Sequence, residues 1–316
     1  MEEYENRKRK QYPLTNDLLF KAVFGQDTEG SKYLLKELLN AILHFEGEKR
    51  IKELTHKNPF TIAQSYTEKE TIFDIKVVLE NKEQVDIEIQ VNASAAFRKR
   101  SLFYWSKLHS TQPLKGHEYD EVVKSICINI VNSACIHESN ELHNTFKVLE
   151  QQEHFELCDD LEIHYFQLPN LYAIINKQEF NDEEAWMLLI REAGRGNDAL
   201  IRTLIDQKEV LKMTYEAYNK INNDELMREK LEAHEKYLMD KSNDLCEARR
   251  EGEKVGLERG IQQGMQRGIQ QGIEKGFEQA QIDIAKKMLQ SGVAIDIIEA
   301  STGLSLEEIE ELSTSI

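Results

Sequence analysis

An α/β fold, with a mixed sheet flanked by helices and an extended helical C-terminal region after it, is predicted by three observations. Residues 73–91, "FDIKVVLENKEQVDIEIQV", read as two strands of period two. Helix-patterned segments precede these strands and follow them, and a further β-rich run returns at 122–132. From about residue 182 onward β-rich runs are few and the pattern is helical.

"PLTNDLLFKAVFG" opens the first helix, with Pro13 near its start, Thr15 or Asn16 as cap and Gly25 as stop. A second helix runs through "SKYLLKELLNAIL". After Pro59 a short strand, "FTIAQSY", leads into the paired strands, and a helix at 94–111 follows. "VVKSICINIVN" is a buried strand, with "FKVLE" and "LEIHYFQL" as added ones.

In the first strand of the pair Ile75, Val77 and Leu79 share one face, and Asp74 and Lys76 the other. In the second, Val85, Ile87, Ile89 and Val91 alternate with Asp86, Glu88 and Gln90. Aligning the apolar faces of a hairpin requires a loop of odd length, and Asn81, Lys82 and Glu83 fit. That register sets Asp74 opposite Gln90 and Lys76 opposite Glu88, with Asp74 diagonal to Glu88 at about 5 to 8 Å. Two carboxylates, an amide and an ammonium then converge, a group able to hold a divalent cation such as Mg²⁺. The plainer reading is the solvated face of an antiparallel hairpin, normally polar.

No apolar run of 18 residues occurs, which argues against a membrane span. "MEEYENRKRKQYPL" is charged and has no apolar stretch behind it, unlike a secretory signal, and points to a cytoplasmic protein. Cys127, Cys135, Cys158 and Cys246 lack CxxC spacing and read as reduced and mostly buried. His137 and His143 stand in no HExxH motif, so the histidines read as structural. Of 40 Lys+Arg and 57 Asp+Glu, residues 1–125 hold 20 of each, so the net charge of −17 lies beyond them. An acidic chain is a poor generic nucleic-acid binder, yet "RKRK" at 7–10 and "FRKRSLFYWSK" at 97–107 are basic. The second cluster sets Arg98, Lys99, Arg100 and Lys107 among Phe97, Phe103, Tyr104 and Trp105, suited to phosphate contact and base stacking. An amphipathic helix with core aromatics and solvated cations accounts for it equally well.

In the tail, Gly252, Gly256, Gly260, Gly264, Gly268, Gly272 and Gly276 recur every four residues. Leu257, Ile261, Met265, Ile269, Ile273 and Phe277 follow the last six of them. Seven helical glycines cost roughly 6 to 7 kcal/mol against alanine. Close contact with a second helix along the i, i+4 ridge offsets such a cost, which favours a homo-oligomer; a flexible linker is the alternative. "AQIDIAKKMLQSGVAIDIIEASTGLSLEEIEEL" then reads as three short helices broken at Ser291-Gly292 and Thr302-Gly303, the last with a Ser305 to Glu308 capping box. It is helix-turn-helix-like, but its acidic last helix argues for a packing or partner element and against DNA reading.

"TNDLLFKAVFG", "FDIKV", "DIEIQ", the Arg100 and Tyr104 pair, "GHEY" at 116–119 and "LEIHYFQL" together resemble the Rpn family of recombination-promoting nucleases and transposases, in the PD-(D/E)XK superfamily. The likeness runs from about residue 10 to 280. It implies a nuclease-like core at 10–180, and the residue patterns add a helical region at 181–247, the glycine-repeat helix at 248–280 and a small helical cap at 281–316. It further implies a metal-dependent DNA endonuclease, with Asp74 and Glu88 as catalytic acids. Gln90 takes the place of the superfamily lysine, and Asp17 that of an accessory acid. Mg²⁺ or Mn²⁺ would then be held by Asp74, Glu88 and the Ile89 carbonyl, and DNA contacted by Arg98, Lys99, Arg100 and Tyr104. Glutamine orients water but supplies no positive charge, and Lys76, on the face of Asp74, is the candidate to restore it. A degenerate nuclease fold, assembled through its tail into a DNA- or partner-binding module, is the competing expectation.

Overall fold

The computed structural model describes residues 10–60, 74–91, 93, 96–112 and 119–314. Residues 61–66 of the strand expected at "FTIAQSY", residues 7–9 of "RKRK" and residues 116–118 of "GHEY" lie outside them. The chain divides into two compact units, up to Glu235 and from Lys236 onward.

In the first unit, helices α1 (Asp17–Phe24) and α2 (Glu29–Ile42) begin where the sequence provides capping side chains. Asn16 Oδ1 accepts from the Leu19 N–H and Thr28 Oγ1 from that of Ser31. The six strands are β1 (Leu54–His56), β2 (Ile75–Leu79), β3 (Gln84–Gln90), β4 (Ser125–Val131), β5 (His143–Phe146) and β6 (Leu161–Gln167). Their order is β1-β2-β3-β4-β6-β5, with β3, β4 and β6 parallel to one another and the other pairs antiparallel. Helix α3 (Phe97–Ser110) makes the crossover from β3 to the parallel β4. The expected strand at 146–150 lies earlier, as β5, and β1 went unforeseen because three residues carry too little pattern.

The apolar faces of β2, β3 and β4 pack with α1, α2 and α4 (Asp182–Glu192) around Phe20, Phe24, Leu35 and Trp186. On the other face α3 covers Cys127, Ile163 and Tyr165 through Phe97 and Leu108. Helices α5 (Asp198–Gln207) and α6 (Glu209–Asn222) complete this unit, with the start of α7 (Glu225–Gln290). Gly194, at φ +84°, lets the chain pass against Tyr12, since a Cβ there would lie 2.5 Å from the Tyr12 carbonyl oxygen. Of the four cysteines expected to be mostly buried, Cys127 and Cys135 are, whereas Cys158 and Cys246 are exposed.

The hairpin differs from expectation in register. Lys76 faces Asp86 and Ile75 faces Ile87, so every pairing is two residues from that expected. Glu80 to Glu83 connect the strands, and Glu80, Asn81 and Lys82 are enclosed by backbone hydrogen bonds: the Leu79 N–H donates to the Glu83 carbonyl at 2.9 Å and the Lys82 N–H to that of Leu79. Lys82 takes the left-handed conformation (φ +70°), and Asn81 Oδ1 accepts from the Glu83 N–H, which sets Glu83 just ahead of β3. Parity, fixed by the alternation, stood; the offset depended on this loop geometry. Asp74 is therefore opposite Glu88, not Gln90, and Lys76 is opposite Asp86, not Glu88.

In the second unit the glycine-repeat segment is helical throughout, as part of α7. A Cβ added at any glycine from Gly252 to Gly276 would meet no neighbour within 4 Å, and Leu257, Ile261, Met265, Ile269, Ile273 and Phe277 are exposed. The end of α7, α8 (Ile295–Thr302) and α9 (Leu306–Thr314) bury Ala285, Ile298 and Ile309 together. Gly303 (φ +73°) ends α8, and the Ser305–Glu308 capping box opens α9 as expected. Among the described residues no helix is long and apolar enough to cross a membrane.

Candidate active site

The charged face of the hairpin is buried, with Asp86 0% and Glu88 8% exposed, which removes its reading as a solvated sheet face. Asp74 stands just before β2, and three contacts fix it there. Its Oδ1 pairs with Lys21 Nζ at 2.8 Å, its Oδ2 accepts from the Ile89 N–H at 3.1 Å, and its own N–H donates to Glu88 Oε1 at 3.3 Å. Asn58 fixes the entry to β2, since its Oδ1 accepts from the Lys76 N–H at 2.7 Å.

Glu88 has too little compensating charge for its depth. Burial, then Asp74 and Asp86, push its carboxyl up to about 9, against the lowering pull of Arg100. Burial, with Asp74 next, likewise raises Asp86 well above the carboxylate range. Asp86 Oδ2 takes only a long contact from the Cys127 thiol, 3.8 Å, and its buried Oδ1 has no partner. Three neighbouring acids with surplus negative charge, one with an orphaned oxygen, form a donor set that fits a hard divalent cation.

The cations are arranged otherwise than expected. Lys21, from α1, stands where Lys76 was expected: burial, the largest influence on its amine, would lower it, but Asp74, Asp17 and Glu88 together raise it. Lys76 shares the acidic face but sits across from Asp86, and burial lowers it. Asp17, in the first turn of α1, lies 3.3 Å from His234 Nε2. Its desolvation is outweighed by His234 and Lys21, which hold its carboxyl below the usual value.

Gln90 Oε1 accepts from Arg100 Nη2 at 2.7 Å, and the Arg100 guanidinium stacks over Phe97 and Tyr104. Arg100 and Tyr104, one turn apart on α3, thus reach toward the carboxylates, while burial raises the Tyr104 phenol. Arg98 points elsewhere, paired with Glu138 at 2.9 Å, and Lys99 is exposed. Phe97 is core, and Trp105 donates its indole N–H to the Ser125 carbonyl, so the basic aromatic helix divides between packing and site.

Lys21, Asp86, Asn58 and His234 escaped the sequence reading as site residues. A signal existed for Lys21, which lies four residues after Asp17 and so on the same side of α1. For Asp86 it was the alternation itself, read there without a role.

The sequence model of a family described as PD-(D/E)XK nuclease family transposase matches residues 14–248. A second, described as Rpn/YhgA-like nuclease family, C-terminal HTH domain, matches residues 278–314. No curated protein and no solved structure matches the chain.

Proposed function

From its membership of the PD-(D/E)XK nuclease family of transposases, to which the chain belongs, we propose that it is a metal-dependent DNA endonuclease, linked to recombination or transposition. The observation supporting this best is the opposed pair of half-buried Asp74 and buried Glu88, with Glu88 raised to about 9. Such a pair is electrostatically incomplete without a cation. Asp74, Glu88 and the Ile89 carbonyl would hold Mg²⁺ or Mn²⁺, which when bound polarises phosphate oxygens and lowers the pKa of water.

The other roles belong to the chain's own side chains. Lys21 supplies the positive charge that Gln90 lacks, and it stands beside Asp74, where negative charge builds on the phosphodiester. Gln90, oriented by Arg100, positions water through its amide. Asp17 steadies Lys21, and Lys76 offsets Asp86. Arg100, Tyr104 and the exposed Lys99 form the DNA-facing side of α3, with Arg98 at its margin.

The helix-turn-helix description of residues 278–314 points to DNA as partner of the second unit as well, contrary to the expectation from its acidic last helix. That segment has two lysines, Lys286 and Lys287, against eight Asp and Glu, so any phosphate contact falls on those lysines. Homo-oligomerisation through α7 and a cytoplasmic location belong to the same proposal. The test is nicking of supercoiled plasmid with Mg²⁺ or Mn²⁺, repeated on Glu88→Ala. Cleavage lost only in the variant supports the enzyme; DNA retention without cleavage in the wild type supports a binding module built on the fold.

A further inference from the structure

At the far edge of the sheet, three strands from β3, two histidines and a glutamate converge. His44 follows α2, His143 opens β5, and Glu183 lies in the first turn of α4. Glu183 Oε2 is 2.9 Å from both His44 Nε2 and His143 Nδ1, and the three ligand atoms lie within 4.8 Å of one another. Among the described residues the two imidazoles are the only basic side chains at ion-pair distance from the Glu183 carboxylate. His44 holds the left-handed conformation, φ +54°, an uncommon backbone for a residue with a side chain.

Neighbouring side chains hold the His143 ring. His143 Nε2 lies 2.7 Å from His164 Nδ1, and His164 Nε2 lies 2.8 Å from Glu162 Oε1. His143 Nδ1, on the other side of its ring, is thereby directed at Glu183 Oε2. Hydrogen bonding at the outer nitrogen of a ligand imidazole is how metal-binding histidines are held in orientation.

We propose that His44, His143 and Glu183 form a second metal site, for a divalent transition-metal ion, foremost Zn²⁺. Two imidazoles and one carboxylate suit zinc and disfavour Mg²⁺, whose ligands are oxygens. Zinc bonds of about 2.0 to 2.2 Å in tetrahedral array put ligand atoms roughly 3.3 Å apart, so the present 2.9 Å contacts open by a few tenths of an ångström. His44 and Glu183 also border a cleft of about 430 Å³, which leaves a fourth position for water. The ion ties the end of α2, β5 and the start of α4 together, independently of nuclease activity.

Full-length protein freed of metal by EDTA, titrated with Zn²⁺ in excess Mg²⁺, tests the site calorimetrically; Co²⁺ in place of zinc reports four-coordinate geometry by intense visible absorption. One Zn²⁺ per chain is expected, with affinity at least tenfold lower in His44→Ala and about 10- to 100-fold lower in His164→Ala. Glu88→Ala should bind Zn²⁺ as the wild type does. Absence of stoichiometric binding, equal affinity in His44→Ala, or loss in Glu88→Ala alone would overturn the site. His44 is exposed, so its replacement leaves the fold intact even if His143→Ala does not.

Discussion

Asp74 and Glu88 face each other across the β2–β3 hairpin, the backbone N–H of one donating to the carboxylate of the other at 3.3 Å. Asp74 is charge-paired to Lys21, and Glu88 is left as the acid that accepts a proton or a metal. This division of labour sets the first two predictions.

Asp74→Ala and Glu88→Ala are each expected to lower plasmid cleavage by at least about 10²- to 10³-fold, the scale of losing a principal electrostatic group. Circular dichroism should stay unchanged, because neither side chain belongs to the apolar cluster. Full activity in either variant would remove the nuclease assignment of these two residues.

Metal affinity should rise with pH up to about 9. In the folded chain Glu88 holds its proton until about pH 9, whereas an unfolded glutamate releases it near 4.5. Between these values the folded state binds the extra proton, so this group's contribution to stability falls as pH rises. A cation must displace that proton, so Mn²⁺ affinity should increase about tenfold per pH unit below 9. Glu88→Gln, with no proton to release, should flatten the slope. Calorimetry in two buffers of different ionisation enthalpy measures the proton directly, and a pH-independent affinity in the wild type would contradict the raised value.

Lys21→Ala is expected to reduce cleavage more than Lys76→Ala does, by tenfold or more, with Lys21→Arg partly active. Lys21 reaches Asp74, whereas the observed register gives Lys76 to Asp86. Equal losses in single-turnover assays would return Lys76 to the role its position on the acidic face first suggested.

How far the sequence reached can be judged at these same residues. The period of two put Asp74, Lys76, Asp86, Glu88 and Gln90 on one face, because strand geometry alone dictates it. Burial of that face was not visible, since it depends on α3 returning over the sheet in the crossover to β4. Lys82 in a left-handed conformation shifted the hairpin by two residues, a choice the turn sequence "ENKE" does not announce as Asn-Gly would. Caps were legible at Asn16 and Ser305, where one side chain and one backbone N–H suffice. The pairing of Lys21 with Asp74 and the His44, His143 and Glu183 cluster were not, because residues far apart in the chain meet there through tertiary packing.

The glycine row of α7 gives the last prediction. Its glycines are helical and face open space, and the apolar residue after each of the last six is exposed, so within one chain nothing offsets their helix cost of roughly 6 to 7 kcal/mol. If a second copy packs there, Gly260→Leu, Gly264→Leu and Gly268→Leu combined should block backbone approach and shift the protein to monomer by light scattering. The triple alanine variant should keep more of the oligomer, since a methyl group widens the approach far less than an isobutyl group. If no copy packs there, both variants should only strengthen the helix, alanine by about 2 to 3 kcal/mol over its three sites. An unchanged mass in the leucine variant would therefore decide against the interface. Cleavage should persist in that variant at reduced efficiency, because Asp74 and Glu88 belong to the first unit and the row to the second.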